Sequence, residues 1–222
     1  MPPRLEVVAD ERAAARRAAE LIAEAGAAAA ADRGPFGLAM SGGRSPWAML
    51  AILGELEQMP WPGTELFQVD ERIAAPGSEE RNLTHMVLGL SMEHQSTLRP
   101  MPVTQRDLEG AARDYESSLP ERFDLVHLGL GPDGHTASLV PGDPVLEVRD
   151  RRVALTTGEY QGHRRMTLTY PALDDARRIL WLVTGADKRE PLTRLLEGDQ
   201  SIPAGRVRNE EMVVVADEAA AG

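Results

Sequence analysis

The chain has 222 residues, no cysteine, 24 basic and 35 acidic side chains and a formal net charge of −11. Disulfides and thiolate metal sites are excluded, and no basic stripe of the kind that grips nucleic acid is visible. Hydrophobic residues at 42% and charged residues at 27% suit a globular domain in water, and no apolar run reaches the roughly 18 residues that span a bilayer.

Leu5–Val8 reads as a strand, and Asp10 as the N-cap of an alanine-rich helix running to about Ala31. Phe36–Met40 is an apolar strand that ends in Ser41-Gly-Gly-Arg-Ser-Pro46. Ser45 as N-cap and Pro46 in the first turn predict a helix to about Gln58. Glu65–Val69 reads as a strand giving way to Asp70-Glu-Arg72, and Asn82–Leu90 and Thr104–Leu119 read as helices. Leu125–Leu130 is a strand that stops at Gly131-Pro-Asp-Gly-His135, with a helix predicted from Thr136. Val153–Thr156, Met166–Tyr170, Ile179–Val183 and Met212–Ala216 complete the strands, with a helix over Lys188–Glu197. Alternating strands and helices predict an α/β fold: a mainly parallel open sheet with helices on both faces, as one domain over residues 1–222. Met1-Pro-Pro-Arg-Leu-Glu6 lacks a secretory pattern, so a cytoplasmic protein without membrane or nucleic-acid partners is expected.

Four loops follow the carboxyl ends of predicted strands, where ligands bind in open α/β sheets: 41–45, 70–72, 131–135 and 185–188. The amides of Ser41-Gly42-Gly43, the charge of Arg44 and a following helix could hold phosphate. The same stretch is one residue from a nucleophile elbow, so Ser41, Asp133 and His163 form a rival triad, although too few strands precede Ser41 for a hydrolase sheet. Gly129-x-Gly131-x-x-Gly134 matches a dinucleotide fingerprint, but Asp133 would set negative charge beside any pyrophosphate. Of the five histidines, only His135 combines a glycine turn, a nearby carboxylate and the ligand edge; His127 reads as a core residue. An Asp133–His135 pair suits acid–base work near neutrality. The histidines lack metal-ligand spacing, so no metal is expected. Arg72 is positioned to meet a substrate, Arg165 has a weaker claim, and Lys188 is the only lysine among the 24 basic residues.

These residues, taken in order, resemble the 6-phosphogluconolactonase family over nearly the whole chain. The carriers are Ser41-Gly-Gly-Arg-Ser-Pro46, Val69-Asp-Glu-Arg72, Asn82, Gly129-Leu-Gly-Pro-Asp-Gly-His-Thr-Ala-Ser-Leu139, Arg165-Met-Thr-Leu-Thr169, Gly185-Ala-Asp-Lys188 and the closing Asp217-Glu-Ala-Ala220. The resemblance implies a fold of the sugar-phosphate isomerase and glucosamine-6-phosphate deaminase group. It also implies hydrolysis of a sugar-phosphate lactone, 6-phospho-D-glucono-1,5-lactone, without metal, cofactor or covalent intermediate. His135 would be the base, Asp133 its partner and Arg72 the oxyanion contact, while Ser41, Gly42, Gly43, Arg44 and Lys188 would hold phosphate. A deaminase shares the Asp-Gly-His turn but continues with Ile-Ala-Phe-Asn-Glu-Pro-Gly, where this chain has Thr136-Ala-Ser-Leu-Val-Pro-Gly142. Deaminase activity and a non-catalytic sugar-phosphate sensor are the alternatives. One departure is Arg81-Asn82, where the family commonly has Ser-Asn.

Overall fold

The fold follows from strands that are apolar on both sides and so must be covered on both faces. A computed structural model describes residues 3–222. In chain order the elements are β1 (Arg4–Val8), α1 (Glu11–Asp32), β2 (Phe36–Met40), α2 (Arg44–Glu55), β3 (Thr64–Gln68), β4 (Asp70–Arg72), α3 (Asn82–Gly89) and β5 (Leu98–Arg99). They continue with α4 (Leu108–Ser118), β6 (Leu125–Gly129), β7 (Val153–Leu155), β8 (Arg165–Leu168), α5 (Tyr170–Asp174), β9 (Ile179–Val183), α6 (Arg189–Leu196), β10 (Met212–Asp217) and α7 (Glu218–Ala221). Short 3₁₀ turns fill several connections.

Seven strands form one sheet in the order β1-β10-β9-β6-β2-β3-β5. Every neighbouring pair in it is parallel. Alternate side chains divide between two cores. Leu38, Met40, Leu125, Leu180 and Leu182 face α1, α2 and α3. Ala39, Val126, Leu128, Trp181 and Val183 face α4 to α7 and a second sheet. The alanines of α1 (Ala14, Ala15, Ala18 and Ala19) are fully buried and let that helix lie close to the strands. Asp10 caps it, accepting from the Ala13 amide at 2.8 Å. Among the described residues no helix is long and apolar enough to cross a membrane.

The second sheet was not legible beforehand. It has the order β4-β8-β7 and is antiparallel, so Asp70–Arg72 is a strand paired with Arg165–Thr167 rather than a loop. Val69 joins the two sheets: its amide donates to Met40 O at 3.0 Å and its carbonyl accepts from Leu168 N at 2.8 Å. The helix expected from Thr136 is absent. Residues 136–139 form a turn closed by a Thr136–Leu139 bridge, because Thr136 Oγ1 donates back to Gly129 O at 2.9 Å and Ser138 Oγ donates to Asp70. Ser45 is not an N-cap: α2 starts at Arg44 behind Gly43, and the Ser45 hydroxyl bonds Glu11 and Thr184 instead. The fourth long helix starts at Leu108, capped by Asp107, and not at Thr104.

His127 lies wholly inside β6 on the Leu125 side, with neither ring nitrogen paired. Burial drives its pKa down from 6.5 to about 3. The unfolded chain therefore binds one more proton than the native state between those values, and stability falls as pH drops below about 6.5. Denaturant unfolding at pH 7 to 4 should show a slope approaching about 1.4 kcal/mol per pH unit from this one group. His127→Leu should flatten the profile by that amount, and an unchanged profile would refute the assignment.

Candidate active site

The chain leaves β2 toward the α2 face and β3, and leaves β6 toward the opposite face and β9. These neighbouring strands send their connections in opposite directions, which opens a crevice at their carboxyl ends. A cavity of about 130 Å³ occupies it. Gly42, Gly43 and Trp47 come from the β2–α2 junction, and Asp70, Arg72 and Asn82 from β4 and α3. His135 and Ala137 follow β6, and Tyr160, Gln161 and Arg165 come from the β7–β8 hairpin. Wider grooves exist, including one of about 640 Å³ around Arg122, Asp174 and Arg208 at the sheet's amino edge. That groove contains neither the Asp–His pair nor a glycine loop, so the smaller cavity is the chemical candidate.

Asp133 Oδ1 and His135 Nδ1 are 2.5 Å apart, and the same oxygen accepts from the His135 amide at 3.2 Å. A carboxylate at that distance favours the tautomer with hydrogen on Nδ1, which directs the lone pair to Nε2. Burial works to raise the Asp133 carboxyl, but its hydrogen bonds to His135 and the charge there outweigh that and hold it below the ordinary carboxylate range. The turn is tight: Gly131 N donates to His135 O at 2.8 Å, and a Cβ on Gly131 would overlap the imidazole. Tyr160 closes the other side, its hydroxyl 3.3 Å from Nδ1 and its ring edge-on to the imidazole at 4.9 Å.

Two guanidinium groups face the cavity. Arg72 is anchored through its amide to Glu71 at 2.8 Å and through one terminal nitrogen to Glu80 O at 2.6 Å, leaving Nε buried and unpartnered. Arg165 is 5% exposed, stands 3.7 Å from Asp70 and likewise has an unpartnered Nε. Burial lowers the Arg165 pKa, Asp70 opposes that, and the charge of Arg72 lowers it further. Two guanidinium groups gathered on one cavity suit an anion. Asn82 ties this wall to the glycine loop: its amide donates to Asp70 O at 2.9 Å, and a Cβ on Gly42 would collide with it.

Of the residues singled out from sequence, the fold brings Gly42, Gly43, Arg72 and His135 to one cavity, with Asp133 hydrogen-bonded behind His135. Ser41 lies just behind the loop, buried with an unpartnered hydroxyl. Arg44 and Lys188 belong to the same edge but not to the cavity wall: Arg44 reaches Glu11 at 3.4 Å, and Lys188 pairs with Asp187 at 2.9 Å. His163 stands 3.9 Å from Glu80, while Asp133 is taken by His135, so the fold does not assemble the rival triad. Trp47, Tyr160 and Gln161 were missed: a helix residue beside a glycine loop and a turn tip give no local sign that they face a cavity.

Gly131→Ala should force the imidazole out of line while sparing the cores. We expect kcat to fall about 10²-fold or more, as when a base is lost, with the thermal midpoint shifted little. Normal turnover in the folded variant would show that the close approach is unimportant.

Comparison with known proteins agrees with this architecture. The family model described as glucosamine-6-phosphate isomerases/6-phosphogluconolactonase matches residues 9–215. A 6-phosphogluconolactonase of Synechocystis is 32% identical over 237 aligned residues, covering 99% of this chain and 98% of its own. One from Nostoc is 31% identical, covering 88% and 85% respectively. The crystal structure of 6-phosphogluconolactonase from Thermotoga maritima superposes with a TM-score of 0.85 at 26% identity, over 97% of this chain and 99% of that one. A monomeric glucosamine-6-phosphate deaminase shares the fold at 20% identity, with a TM-score of 0.82 over 98% of both chains. The chain belongs to the glucosamine-6-phosphate isomerase/6-phosphogluconolactonase family.

Proposed function

We propose that this enzyme hydrolyses 6-phospho-D-glucono-1,5-lactone to 6-phosphogluconate in the cytoplasm. The carrying observation is a carboxylate-oriented imidazole sharing one small cavity with two guanidinium groups. Phosphate is held by the amides of Gly42 and Gly43 at the start of α2, by Arg72 and Arg165, and by Lys188 at the rim. His135 Nε2 takes a proton from water as the water oxygen bonds to the lactone carbonyl carbon. Asp133 keeps the imidazole in its tautomer and offsets the charge that forms. With Arg72 committed to the phosphate, backbone amides of the site's loops balance the developing oxyanion. When the ring C–O bond breaks, the imidazolium returns its proton to the leaving ring oxygen, and the new carboxylic acid ionises. A strained cyclic ester needs only positioning and a base, so neither a metal nor an acyl-enzyme enters this route.

The deaminase reading has the shared fold in its favour. Against it, the position where the deaminase pattern carries its glutamate is Val140 here, and Thr136 and Ser138 before it are fully buried and engaged as donors.

A pH-stat assay on freshly made lactone, corrected for spontaneous hydrolysis, tests the reading, alongside ammonia release from glucosamine 6-phosphate. We expect lactone turnover and no ammonia; the reverse result would install the deaminase. His135→Ala should lower kcat by about 10²–10⁴-fold with KM little changed, and near-normal turnover would remove His135 from the chemistry. Lys188→Ala should chiefly raise KM for the phosphorylated lactone. An unchanged KM would take Lys188 out of the phosphate site.

A further inference from the structure

The tip of the β7–β8 hairpin sits in the anion site. Tyr160 and His163 pair across a two-residue turn, and both central residues, Gln161 (φ 53°) and Gly162 (φ 79°), are left-handed. Such turns favour glycine or asparagine, and glutamine gains nothing from this backbone. Among the described residues only Ala137 and Gln161 are non-glycine residues with positive φ, and both line this cavity. Strained backbone persists where surrounding contacts hold it, commonly at functional sites.

The contacts that hold Gln161 are specific. Its side-chain oxygen accepts from a terminal nitrogen of Arg72 at 3.5 Å and from one of Arg165 at 3.4 Å. Arg165 also donates to Tyr160 O at 3.1 Å and lies over the Tyr160 ring at 5.3 Å. The stem is fixed separately, with the Asp143 carboxylate accepting from the amides of Thr157 and Gly158. A neutral amide oxygen thus bridges two mutually repelling cations, at long distances for either bond. It lines a cavity of about 130 Å³, whereas ligand sites generally run to roughly 300–1,000 Å³.

We propose that Gln161 is a specificity-setting residue that occupies the anion position between Arg72 and Arg165 and competes for it with the charged group of the substrate. The inference rests on the lactonase reading and adds to it a built-in competitor. A phosphate dianion displaces the amide because it offers both guanidiniums full charge and shorter bonds. A neutral hydroxymethyl group at the same place offers neither. Return of the amide also speeds departure of an anionic product. Residue 161 thereby sets how strongly the enzyme holds a phosphorylated lactone relative to a plain one.

The test compares wild type with Gln161→Gly and Gln161→Glu on 6-phosphogluconolactone and on unphosphorylated D-glucono-1,5-lactone. Binding of inorganic phosphate is followed by thermal shift. Glycine suits the left-handed turn, so the first variant should fold. It should lower KM for the phosphorylated lactone and tighten phosphate at least threefold, with the plain lactone little affected. Gln161→Glu places a fixed carboxylate between the arginines. It should raise KM for the phosphorylated lactone tenfold or more, while kcat at saturation stays within threefold. A higher KM and weaker phosphate binding in Gln161→Gly would overturn the proposal, because the amide would then be a direct substrate contact. Equal effects on both lactones, or none, would also overturn it by reducing the tip to scaffold. The phosphate arm reads residue 161 without turnover, so a wild type inactive on both lactones would sink the lactonase reading alone.

Discussion

The architecture of the site hangs on one buried carboxylate. Glu71 is fully inaccessible, yet its two oxygens accept four hydrogen bonds and stand beside one guanidinium. Arg72 N and Asn82 N reach one oxygen at 2.8 Å each, and Gln68 Nε2 and Leu83 N reach the other at 2.9 Å. Arg81 adds its guanidinium at 3.5 Å. A buried charge left unpaired is strongly destabilising, by about 3–5 kcal/mol when a partner is removed. The donors must therefore converge, and convergence positions everything around them. The end of β3, the backbone of Arg72 and the first amides of α3 are drawn to one point. Arg81, itself buried, completes the charge balance of Glu71.

From that point the order spreads outward through side chains that each serve two neighbours. Asn82, held by Asp70, leaves room only for glycine at position 42. Asp70 in turn takes the Ser138 hydroxyl and stands beside Arg165, which links the turn after His135 to the β7–β8 hairpin. The three walls of the cavity are thus parts of one polar network inside the protein. Such networks hold geometry well because any member left unsatisfied in a low-dielectric interior is costly. The arrangement also answers an electrostatic difficulty. A chain of net charge −11 repels an anionic substrate at long range, and the local guanidinium pair supplies attraction where Coulomb forces are least screened.

Much of this was legible beforehand, for identifiable reasons. The long apolar strands, the Asp10 cap and the alanine face of α1 are local signals, and each appeared where the pattern placed it. His127 read as core because it sits in an unbroken apolar run, and it is core. The Asp133–His135 pair was visible because its members are two residues apart in one turn. The errors cluster where partners come from far along the chain. A helix at Thr136 was reasonable on local propensity, but the hydroxyls of Thr136 and Ser138 found acceptors in β6 and β4 and gave the chain a turn instead. Ser45 lost its capping role to Glu11 and Thr184 in the same way.

Periodicity and turn chemistry in the sequence alone determined the parallel layered fold, the glycine loops at its carboxyl edge and the Asp133–His135 pairing. These are short-range properties, written in spacings of two to four residues. Tertiary structure alone decided which cations enter the site. Arg44, adjacent to the glycine loop, turns away to Glu11, while Arg165, distant in sequence, is carried in by pairing with β4. It also decided that Gln161 stands between the two arginines. A side chain's charge can be read from a sequence, but its direction depends on which buried partner it must satisfy, and that partner is chosen only when the sheets close.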